Sequence, residues 1–154
     1  MTRHPPTIDD EFLIAALRLA SGNDPVPARV TEAARAVFGL RLPGATTAHP
    51  VATPLPQGVR SAGRPRLLRF SAGELTVELE VSSLDGLVDL AGQISPCPEV
   101  GALVEVRTLH VTESRPLSPT GQFAVTGLPP GWFSVVCHRP EHPPVATSWT
   151  RIRP

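Results

Sequence analysis

The chain has no lysine and no tyrosine, and only two cysteines and one methionine among 154 residues. All 14 basic residues are therefore arginine, and 14 acidic residues balance them to a formal net charge of zero. A neutral chain sets up no general field toward nucleic acid or an anionic bilayer, so neither is expected as a partner. The missing lysine, with abundant alanine and 19 prolines, reads as the codon bias of a GC-rich genome. Long apolar runs are also missing. Phe12 to Leu17 is too short to span a bilayer, and acids stand in MTRHPPTIDDEF where the apolar core of a signal peptide would begin. A cytoplasmic location is expected, with Cys97 and Cys137 as reduced thiols and Cys137 as a small buried hydrophobe in a strand.

Catalytic signatures are equally scarce. There is no G-x-S-x-G elbow, no C-x-x-C pair and no phosphate-cradling glycine loop. Glu78 and Glu80 are paired carboxylates, but on the wet face of a strand, where solubility is the default role. His138-Arg-Pro-Glu-His142 matches the H-x-x-E-H pattern of one zinc-peptidase class. That chemistry needs a helix to put both histidines on one face. Here the string follows a strand, Pro140 interrupts it, and no acidic side chain follows Glu141 to serve as a further ligand. An exposed hairpin loop is expected. Neither an enzyme, a cofactor nor a metal site is anticipated.

What is present divides the chain into three. In residues 1–40, Ile8, Phe12, Ala15, Ala16 and Leu19 recur at helical spacing, widened by Leu13 and Leu17. Thr7 is a plausible cap, Asp9, Asp10 and Glu11 suit the positive end of the helix dipole, and Gly22 is the expected left-handed stop. A second helix is expected from Pro25 or Pro27, with Asp24 as candidate cap, Val30, Ala33, Ala34 and Val37 on one face, and Gly39 as its stop. Helices this short are marginal alone, so their apolar faces need cover. They either dock on the rest of the chain or present Phe12, Leu13, Leu17 and Leu19 to a partner helix as a groove-binding stripe.

Residues 41–65 are rich in Pro, Gly, Ala, Thr and Ser without periodicity, and read as a linker. Arg60, Arg64, Arg66 and Arg69 cluster there and just beyond it. Without interleaved aromatics, they read as solvated charge rather than a nucleic-acid arm.

From 66 to 154 the period changes from 3.6 to 2. Leu75, Val77, Leu79 and Val81 alternate with polar residues. Asp85-Gly86 is a two-residue hairpin turn needing positive φ. Ser118 to Gly121 suits a type I turn, and Pro129-Pro130-Gly131-Trp132 a type II turn. Strands are expected at 66–70, 74–81, 87–94, 102–108, 122–126, 132–138 and 145–152, with a further short one at 110–113. Short strands at such spacing read as an antiparallel β-sandwich of six or seven strands.

The segment Gly121-Gln-Phe-Ala-Val-Thr-Gly-Leu-Pro-Pro-Gly131-Trp-Phe-Ser-Val-Val136 resembles the signature of carboxypeptidase-regulatory-like domains, which are transthyretin-like (prealbumin-like) sandwiches. The resemblance covers about Leu87 to Arg151. It implies that Phe123 and Leu128 plug the core and that Gly131 supplies a turn. An aspartate usual before the Gly-x-Phe strand is replaced here by Ser118-Pro119-Thr120, and Trp132-Phe133 stands where Tyr is commoner. The whole layout also resembles small uncharacterised actinobacterial proteins found beside sigma-factor genes, which implies a regulatory accessory role and a sigma factor as partner.

The expectation is thus a mainly β protein, a transthyretin-like sandwich preceded by a two-helix segment. Its expected role is that of a non-enzymatic interaction protein binding another protein. A peptide- or carbohydrate-binding module using an edge strand or end loops is the alternative, and a metal hydrolase at His138–His142 a third.

Overall fold

The computed structural model describes residues 8–23, 26–52 and 65–152. The chain forms two compact units, Met1–Arg41 and Leu42–Pro154. The first holds helices α1 (Ile8–Asn23) and α2 (Ala28–Gly39). Asp9, Asp10 and Glu11 occupy the first turn of α1 as anticipated; Thr7 lies outside the described residues. Neither glycine acts as a left-handed stop. Gly22 and Gly39 are inside their helices, and neither has positive φ. Instead α2 closes on right-handed Leu40 (φ −81°, ψ −7°). Its N–H donates to the Val37 carbonyl and that of Arg41 to the Phe38 carbonyl, both at 3.1 Å. This tight last turn satisfies two orphan carbonyls without a glycine. The start of α2 is Pro27 (φ −56°, ψ 139°), which makes no side-chain capping bond; Asp24 lies outside the described residues. No residue of α2 is buried. Among the described residues, no helix is long and apolar enough to cross a membrane.

The second unit is mainly β. Its strands are β1 (Thr46–Pro50), β2 (Arg66–Ala72), β3 (Leu75–Leu84), β4 (Leu87–Ser95), β5 (Leu103–Thr108), β6 (Thr112–Pro116), β7 (Gln122–Leu128), β8 (Gly131–His138), β9 (Val145–Thr147) and β10 (Thr150–Ile152). They form one sheet in the order β6-β5-β8-β9-β1-β2-β3-β4-β7, with β10 also paired to β8. Ten strands in a single, nearly closed path replace the six or seven expected in two separate layers. The difference comes largely from β1. Thr46 to Ala48 lie parallel to β9, while His49 and Pro50 pair antiparallel with β2. One strand thus passes from one side of the structure to the other, and the stretch expected to be linker contributes a strand. Its signal was weak because only Ala48 of the five residues is buried.

Elsewhere the alternation works as read. In β3, Leu75, Val77, Leu79 and Val81 point inward. Asp85 (φ 53°) and Gly86 (φ 78°) make the two-residue turn, and Leu84 faces Leu87 across it. The 145–152 stretch is split because Ser148 and Trp149 both stand opposite Ser134, a bulge between β9 and β10. Side chains bridge that gap: Ser134 Oγ donates to the Thr147 carbonyl at 2.8 Å, and Thr147 Oγ1 accepts the Val135 N–H at 2.9 Å.

A second bulge explains the Thr-Gly-Leu-Pro string. The β4–β7 register slips between Val88 and Leu90, so Thr126 and Gly127 together oppose Asp89. Gly127 is left-handed (φ 74°), and its N–H donates to Asp89 Oδ1 at 2.9 Å. Leu128 is thereby turned inward, buried with Phe123. The following Pro129-Pro130-Gly131 does not close a hairpin, because β7 pairs with β4 while β8 pairs with β5, β9 and β10. It carries the chain across the core. That core contains Phe70, Leu79, Leu90, Ile94, Val104, Val125 and Val135, all essentially inaccessible; full burial of each such side chain stabilises by about 1.5–3 kcal/mol.

Candidate functional site

On α1, the four residues read as a partner-binding stripe are all exposed: Phe12 by 77%, Leu13 by 57%, Leu17 by 60% and Leu19 by 71%. Val30, Val37 and Phe38 on α2 are exposed as well, and the Arg41 guanidinium lies 5.3 Å from the Phe38 ring centroid. The helical unit therefore has more apolar surface than it covers.

The H-x-x-E-H string forms the β8–β9 hairpin loop. It leaves the strand at His138 and turns through left-handed Glu141 (φ 58°). The two histidines face different carboxylates. His138 Nε2 lies 3.3 Å from Glu105 Oε2 without hydrogen-bond geometry, and His142 Nε2 is 3.9 Å from Glu99 Oε1. No group of three or more metal-ligating side chains comes together among the described residues. Cys97 and Cys137 are free thiols. Cys97 is exposed and donates to the Pro119 carbonyl at 2.8 Å. Cys137 is buried, and desolvation pushes its thiol up from the ordinary value, only partly opposed by the nearby positive charge of Arg139.

A groove of about 540 Å³ lies across β2, β3, β4 and β7. It was not read from the sequence. Cross-strand register builds it from two rows: Leu67, Glu80, Ala91 and Ala124 in one, and Arg69, Glu78, Gln93 and Gln122 in the other. Both rows point away from the core, because the register between them (Leu68, Leu79, Gly92, Phe123) faces inward. Small side chains at Ala91 and Ala124 leave a depression, which the longer residues wall. Arg69 and Glu78 form an ion pair across one wall. Glu80 is exposed and has no ion-pair partner among the described residues. No family model, curated protein or solved structure matches the chain.

Proposed function

We propose that the chain is a non-enzymatic, cytoplasmic interaction protein, a regulatory accessory that holds another protein through its helical unit on a transthyretin-like scaffold. The uncovered stripe Phe12, Leu13, Leu17 and Leu19 carries this reading. Two short helices with no buried residue in the second cannot account for their own stability in water, and an apolar groove on a partner is a natural complement. A sigma factor is the candidate by the resemblance described above. Inward-facing Phe123 and Leu128 and the glycine-dependent bulge at Gly127 support the transthyretin-like reading of the scaffold.

The test is direct mixing of full-length protein with purified sigma factors of its own organism, read by size-exclusion chromatography. We expect a complex that Phe12→Ser/Leu17→Ser abolishes, with at least a tenfold loss of affinity, while the melting of the β unit is unchanged. A complex indifferent to both substitutions would overturn the role of the helices. Absence of any complex would overturn the choice of partner.

The groove over β4 and β7 favours a second reading, a peptide-binding module.

A further inference from the structure

The second unit leaves an aromatic side chain uncovered, and the groove has the shape and charge to take it. Trp132 in β8 is 45% exposed. Its neighbour Phe133 lies in the core, so by strand alternation the indole points outward. In the ladder Trp132 stands directly opposite Arg151 of β10. Arg151 is exposed, next to core residue Ile152, and has no ion-pair partner among the described residues. Farther along β8 the same face is buried at Ser134 and Val136. The accessible part is therefore the end that carries Trp132 and Arg151.

The groove matches this pair position by position. Glu80 of β3 stands opposite Ala91 of β4, and Ala91 opposite Ala124 of β7. All three are exposed. Glu80 has no ion-pair partner among the described residues, whereas Glu78 is held by Arg69. Neighbouring strands are spaced about 4.8 Å apart, so the step from Trp132 to Arg151 equals the step from Ala91 to Glu80. With one sheet laid on the other, an indole on the two alanines puts the guanidinium over Glu80. Packed sheets sit about 10 Å apart, a gap that an arginine and a glutamate reaching toward each other can span. A groove of about 540 Å³ accommodates the ring.

Phe133 and Ile152 share one core cluster with Leu79 and Phe123, so the Trp132 face and the groove both turn away from that core. A molecule cannot place its own Trp132 in its own groove. We infer that the groove receives Trp132 and Arg151 of a second copy of this chain, in a head-to-tail contact. Such a contact joins two different patches and leaves one of each free on the pair, so association continues past the dimer until a ring closes or a filament grows. Burial of the indole against the alanine methyls supplies attraction, and the Arg151–Glu80 pair fixes register. This occupant stands apart from the peptide reading of the groove and from the helical stripe.

Sedimentation velocity of the full-length protein is expected to show a weight-average mass that climbs past the dimer with concentration. Trp132→Ser removes the indole, and Ala124→Arg, an exposed change, fills the groove. Each variant alone should associate about tenfold more weakly or worse. Mixed in equal amounts, the two should form a dimer and nothing larger, because the groove of the first accepts the tryptophan of the second and both remaining ends are blocked. Arg151→Glu, at an exposed position, disrupts the same contact without altering the packing around Trp132, and Glu80→Arg in the same chain should restore association. Wild-type protein that stays monomeric at millimolar concentration would overturn the inference. So would a mixture of the two blocked variants that fails to dimerise. Association that survives Ala124→Arg but is lost with Phe12→Ser/Leu17→Ser would assign self-contact to the helices and overturn it as well.

Discussion

A Cβ at Gly92 would lie 2.3 Å from Phe123 Cζ and 2.9 Å from Leu79 Cδ2. The phenyl ring folds over the glycine directly opposite it in the ladder, so one residue's missing side chain is the space another fills. Gly92→Ala overpacks this point and is expected to cost about 1–3 kcal/mol. Combining it with Phe123→Leu should recover part of that loss, a non-additivity that urea unfolding of the two single variants and the double variant would measure. Cys137 has a different sensitivity. Its thiol is raised above the ordinary 9.0 in the folded chain by burial, so the folded state holds its proton more tightly than the unfolded state. That contribution to stability is complete below pH 9.0 and is lost as pH rises above it through the folded value. Cys137→Val should flatten the alkaline fall in unfolding free energy. In native protein, a thiol reagent should label exposed Cys97 quickly and Cys137 only after denaturation. Burial of Cys137 was legible from its place in an apolar run; the Gly92–Phe123 contact was not, because it joins strands whose register no local pattern encodes.

The elements the sequence announced are those with their own periodicity or turn chemistry. β3 alternates over its length, and Asp85-Gly86 can hardly be anything but a tight turn. β1 has neither. Thr46-Thr-Ala-His-Pro50 is held by partners on both sides, not by its own pattern. The helix ends differ from expectation for a related reason: glycine permits a left-handed stop without requiring one, and Leu40 closes α2 with ordinary right-handed geometry. The place of β1 has a practical consequence. A chain beginning at residue 42 should fold, giving a cooperative melt. One beginning at 66 loses Ala48, which is fully buried, along with the ladder joining β9 to β2, and should lack a cooperative transition by circular dichroism. A cooperative melt of the 66–154 fragment would show that β1 is dispensable.

At the scale of the molecule, mainly β architecture and a separate helical segment were both legible in the change of period near residue 66. The groove was not. It exists only because four strands, drawn from residues 66–72, 75–84, 87–95 and 122–128, bring two small side chains side by side. The zero net charge hides an uneven local arrangement too, since Glu78 is paired with Arg69 while Glu80 beside it has no ion-pair partner among the described residues. The apolar stripe on α1 differs in kind: helical spacing places Phe12, Leu13, Leu17 and Leu19, and their exposure is what the structure adds.

The parallel contact between β1 and β9 joins residues 46–48 to residues 145–147, nearly the full span of the second unit. A contact so distant along the chain carries a large loop-closure cost and forms late, whereas the β2–β3–β4 meander can assemble from neighbours. During synthesis the ladder between β1 and β9 must therefore wait for residues 145–147. Until they emerge, β1 has its partner in β2 but lacks its partner in β9.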